Sequence, residues 1–155
     1  MNLDLRRFSY ALEPLLKRRQ WQLDTLNASL GRLQQAIDTA ENDLQALRAQ
    51  HLRESEDLAR ALNLQLDPAF HARGLQWLRQ LKTRTETGSL ALSALHAQRT
   101  ALAAKCLAQQ RKVDAVLAHR KDALEVFVRE ENGRLAAEAD RDWLARPVRN
   151  TEVSL

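Results

Sequence analysis

The chain has 155 residues, a usual length for one domain, and Ala, Glu, Lys, Leu and Arg supply 87 of them. With one isoleucine, six valines, four glycines and three prolines, this composition argues against a sandwich or barrel and for long helices. The net charge of +4 is mild for a nucleic-acid binder, and the single Cys106 excludes an internal disulfide.

The opening Met1-to-Pro14 stretch lacks the apolar core of roughly 7 to 15 residues that a secretory signal needs, and no later stretch approaches the ~18 apolar residues of a membrane span. A cytoplasmic chain with no membrane insertion is the expectation. Pro14 fits the first turn of a helix, where its missing N–H breaks no helical bond. From there a heptad runs with Leu16, Leu23, Leu30, Ile37 and Leu44 at position a and Leu26, Leu33, Ala40 and Leu47 at d. Gly31 costs about 1 kcal/mol locally without breaking the helix.

Beyond Leu47 the frame meets His51 and Glu54, while apolar residues reappear at Leu52, Leu58, Ala59, Leu62 and Leu66. A slip of the seam is expected there. A helix over about 14–62 would be roughly 70 Å long at the helical rise, so its narrow stripe needs a partner from the second half of the chain or from another copy. The reversal falls at Asn63 to Pro68, where Asp67 can cap a new helix and Pro68 can take its first position.

A turn and short helical connector over about 63–88 follows, with Phe70, Trp77, Leu78 and Leu81, and the Thr83-to-Ser89 stretch marks a bend. A last helix over about 89–145 carries a weaker seam, Leu92, Leu95, Leu102, Cys106, Val113, Val116, Ala123 and Phe127, interrupted by Arg99, Gln109 and Arg120. Arg146-Pro147 should end it and leave 146–155 as a frayed tail. The expected fold is all-α: one domain over 1–155, a long antiparallel two-helix coiled coil or α-hairpin with a short helical connector near the turn.

No residue set points to catalysis. His51, His71, His96 and His119 have no metal spacing with one another or with Cys106, and the scattered glycines form no phosphate-binding loop. Glu130, Glu131, Glu138, Asp140 and Asp142 read as a solvated face. No catalytic, cofactor-binding or metal-binding residue is therefore expected, and the chain reads as non-enzymatic. Residues 73–121 carry 10 basic and 2 acidic side chains, and 122–142 carry 3 and 7, a segregation suited to oriented docking on another protein. Trp21, Trp77 and Trp143 fall off the seam, and tryptophan is enriched at interface hot spots. Lys17-Arg18-Arg19-Gln20-Trp21 adds a basic neighbourhood to the first.

Three segments carry a resemblance: Leu12 to Leu23, the connector containing Trp77, and His119 to Glu131. In order, spacing and total length the chain resembles the FliJ/YscO family of coiled-coil stalk proteins in type III secretion systems, the last segment being most similar to the virulence branch. The resemblance implies a stalk that enters the pore of a hexameric secretion ATPase, links it to the cytoplasmic domain of the export gate, and engages secretion chaperones. It implies no cofactor and a cytoplasmic place at the inner-membrane base of the apparatus; no nucleic-acid partner is expected, because the first half balances 9 basic against 9 acidic residues through Leu62.

By that resemblance Arg18, Arg19, Trp21, Arg129 and Trp143 would contact the ATPase, and Leu47, Gln50, Trp77 and Leu81 the export gate. Trp77 and Leu81 keep the apolar chemistry that the family uses there; Gln50 and Glu54 do not. The heptad by itself also permits a generic coiled-coil adaptor, such as a parallel dimer with no secretion role.

Overall fold

A computed structural model describes residues 5–64 and 67–145. A short 3-10 turn, Leu5–Arg7, precedes two long helices, α1 over Glu13–Leu64 and α2 over Pro68–Leu144. Among the described residues there is no strand, and the helices pack on each other as a hairpin. Asp67 caps α2 by accepting from the Ala69 N–H at 2.9 Å, with Pro68 in the first position as its fixed φ favours. The stop at Arg146-Pro147 and the tail 146–155 lie outside the described residues.

The chain divides into two compact units. One joins the N-terminal stretch through Gln20 to the chain from Gln110 onward, and the other spans Trp21–Gln109.

In the Trp21–Gln109 unit, partner numbers fall along α2 as they rise along α1, the signature of antiparallel packing. Gln22 meets Gln109, Gln34 meets Arg99, Glu41 meets His96, Leu44 meets Gly88 and Leu58 meets Gly74. Ile37, Leu44, Leu58 and Leu81 are buried between the helices. The predicted a and d residues from Leu23 to Leu47 all lie on the covered side, because a seven-residue repeat keeps one stripe facing the partner.

The expected slip after Leu47 does not occur. His51 and Leu58 continue the a positions, Glu54 and Ala61 the d positions, and all four are covered, whereas Leu52, Ala59 and Leu62 face outward. The frame holds because the α2 surface opposite is shaped for it: Gly74 and Gly88 are 14 residues apart, as are the Leu58 and Leu44 that fill them. Each glycine makes a hole for a leucine knob.

The segment expected to form a separate connector is helical but is the first part of α2, which runs through 83–89 without a break. Its seam was hidden by small and polar occupants, Gly74, Thr85 and Gly88 alternating with Leu78 and Leu81. Thr85 satisfies its hydroxyl within the helix by donating to the Leu81 carbonyl at 2.9 Å. Arg99, expected as an interruption, extends out of the stripe to donate to Gln34 Oε1 at 3.1 Å, as long cationic side chains do when their stems lie on apolar surface.

In the other unit, Leu16 and Val113 are buried and the segment before α1 is tied to α2. Tyr10 is buried, and its hydroxyl donates to the Val116 carbonyl at 3.2 Å and lies 3.0 Å from His119 Nδ1. Phe8 packs against Phe127 with ring centroids 5.5 Å apart, and Arg120 reaches Glu13 at 3.2 Å. That ion pair is part-exposed and is worth at most about 1 kcal/mol. The aromatic contacts contribute more.

Candidate protein-docking surfaces

A seam this narrow leaves most of each helix uncovered, so the informative side chains are the large ones that it fails to cover. In the Trp21–Gln109 unit, Trp21 is 68 % exposed. Leu47 and Gln50 are half-buried and, with Glu54, share one flank of α1 at helical spacing. Trp77 lines a groove with Glu54, Asp57, Leu58, Ala61, Phe70, Gly74 and Leu78. Its floor is the Leu58 side chain seated over Gly74, and its rim carries the two carboxylates. Asp57 is shared with Arg60 on the same helix.

Leu81 does not join this surface. It is completely buried in the seam, so its side chain faces α1 and offers nothing to a second protein. The reason is periodic: Leu81 falls seven residues from both Gly74 and Gly88 and shares their inward line. Trp77, four residues earlier, lies at the edge of that line, where the Arg84 guanidinium stands 5.8 Å from its ring centroid.

In the other unit, Arg18 and Arg129 are exposed, Arg19 is half-buried, and Trp143 is 71 % exposed beside the exposed Leu144. Between them α2 carries a surface network. Arg134 donates to Glu131 at 2.8 Å and to Glu138 at 3.2 Å. The hydrogen bond and charge of Glu131, then the charge of Glu138, hold the Arg134 guanidinium above its usual range. The acidic stretch is thus partly self-neutralised.

The contribution of Phe8 and Tyr10 was not foreseen from the sequence. The available signal was the aromatic pair in Phe8-Ser9-Tyr10 just ahead of the helix start, but no period extends to them. His51 is half-covered, in a hollow with Arg48, Lys82, Thr85 and Glu86. His71 occupies a seam position, and its Nε2 has no hydrogen-bond partner among the described residues. Among the described residues no three His, Cys, Asp or Glu side chains cluster as metal ligands, and no helix is long and apolar enough to cross a membrane.

No protein-family model, curated protein or solved structure matches the chain.

Proposed function

We propose that the chain is a non-enzymatic stalk of a type III protein secretion apparatus, of the kind its sequence resembles, which binds the hexameric secretion ATPase and links it to the export gate. The observation that carries this reading is the pairing of two continuous helices along a narrow heptad seam that leaves Trp21 and Trp143 outside it. Such a hairpin satisfies its own apolar stripe and keeps tryptophans for other proteins, where they act as anchors.

In this reading Arg18, Arg19, Arg129 and Trp143 of one unit, and Trp21 of the other, meet the ATPase ring. Mixed charge suits contacts that must be made and released as ring subunits turn over, since electrostatics sets orientation and encounter rate more than affinity. Leu47, Gln50 and Trp77 meet the cytoplasmic domain of the gate, and Leu81 supports Trp77 from within the seam. Secretion chaperones are further partners. The place of action is the cytoplasmic face of the inner membrane, at the base of the apparatus.

Co-purification with a hexameric secretion ATPase tests the reading. Recovery of a complex that Trp143→Ala weakens is the expected result, and no recovery at micromolar concentrations counts against the stalk and for a generic adaptor.

A further inference from the structure

The first part of α2, from Pro68 to Thr85, carries Arg73, Arg79, Lys82 and Arg84 and no carboxylate. The nearest acid, Asp67, is occupied in capping Ala69, and Glu86 pairs with Lys82 at 3.9 Å. Among the described residues no carboxylate forms an ion pair with Arg73, Arg79 or Arg84.

The seam fixes which way these residues face. Gly74, Leu78, Leu81 and Thr85 point toward α1, which turns Arg73, Gln76, Gln80 and Arg84 to the opposite side at helical spacing, and all four are exposed. Gln76, Arg79, Gln80 and Arg84 line one shallow depression. Trp77 stands at its edge with the Arg84 guanidinium against its ring.

We propose that this face docks an acidic amphipathic helix of a partner protein. The guanidinium groups of Arg73, Arg79 and Arg84 pair with its carboxylates, Gln76 and Gln80 supply neutral hydrogen bonds, and Trp77 takes its apolar edge. The proposal rests on the reading that Trp77 meets the export gate and names the chemistry of that contact. Arg73 to Arg84 spans about 17 Å at the helical rise, a footprint suited to a short helix, and planar guanidinium groups match carboxylates in paired hydrogen bonds. Nucleic acid is disfavoured because Glu54 and Asp57 line the groove on the other side of Trp77, where a continuing phosphate backbone would meet like charge.

The test uses the full chain with Trp21→Phe and Trp143→Phe, so that Trp77 is the only tryptophan. The probe is a labelled helical peptide of about four turns, with glutamate on one face and leucine along its edge, read by anisotropy. The proposal expects binding with a blue shift of Trp77 emission, and a loss of roughly tenfold or more in affinity for Arg73→Glu with Arg84→Glu at unchanged helicity. Should that pair reduce helicity, Arg84→Gln alone provides the comparison and is expected to weaken binding in the same direction. Peptide binding indifferent to these changes, no peptide binding, or tighter binding of single-stranded DNA of equal length overturns it. ATPase stimulation is measured separately with the wild-type chain, since Trp21 and Trp143 belong to the proposed ring contact. Failure of the peptide while the wild-type chain stimulates removes this inference alone, and peptide binding with no stimulation by the wild-type chain removes the stalk reading.

Discussion

Leu58 occupies the space that a side chain at Gly74 would claim: a Cβ built on Gly74 falls 2.6 Å from Leu58 Cδ1 and 3.1 Å from Cδ2. The equivalent step two heptads away, Leu44 on Gly88, is looser at 3.4 Å. Replacing a helix-interior glycine by alanine ordinarily gains about 1 kcal/mol, and Gly31, with nothing within 4 Å of its Cβ position, should show that gain. At Gly74 the overpacking cost of about 1–3 kcal/mol outweighs it. Urea denaturation should therefore show Gly31→Ala stabilised and Gly74→Ala destabilised, and adding Leu58→Ala to Gly74→Ala should cost less than Leu58→Ala costs alone. Equal gains at both glycines would mean that the leucine is not seated on Gly74.

Gln109 is 7 % exposed in the middle of the apolar stripe and donates to Gln22 Oε1 at 3.1 Å. A polar seam residue of this kind fixes register at a cost in stability. Gln109→Leu combined with Gln22→Leu should raise the unfolding free energy by about 1 kcal/mol, because apolar side chains in place of both partners leave no amide unpaired. Gln109→Ala should lower it by about 2 kcal/mol through lost packing and a lost hydrogen bond. Paired denaturation curves decide the matter, and a destabilised leucine variant would show that the amide contributes net stability.

Tyr10 ties the segment before α1 to Val116 and His119. Tyr10→Phe removes the hydroxyl bonds and keeps the ring, for an expected cost of about 1 kcal/mol. Tyr10→Ala also opens a cavity and should cost about 3 kcal/mol or more. Amide exchange around Val116 to Phe127 should speed up in the alanine variant and change little in the phenylalanine variant. Unchanged exchange in both would mean that the aromatic segment does not hold this part of α2.

The α1 stripe is readable as far as Leu47 because leucine or isoleucine marks every position but Ala40. It becomes unreadable at His51 and Glu54, where polar residues take covered positions while Leu52 and Leu62 draw attention to an outer face. A hydrophobicity pattern cannot show that a glycine on the other helix holds the frame. For the same reason Gly74, Thr85 and Gly88 disguise the first part of α2 as a connector, and nothing in the pattern shows that Leu81 is the most buried leucine among the described residues. Trp21 and Trp143 were legible as off-seam residues, since a residue's place in the heptad alone decides that.

The stalk reading divides function between residues that do not pack the hairpin. Arg18→Glu, and separately Trp21→Ala, should reduce coupling to the ATPase while circular dichroism stays at the wild-type helical signal, since both side chains are exposed.

Phosphate release by the hexameric secretion ATPase, measured as this chain is titrated in, is the decisive measurement. Stimulated turnover that saturates with added chain, and that falls several-fold for Arg18→Glu, is the predicted result. Turnover that stays flat at every concentration, with no complex formed, would contradict the stalk.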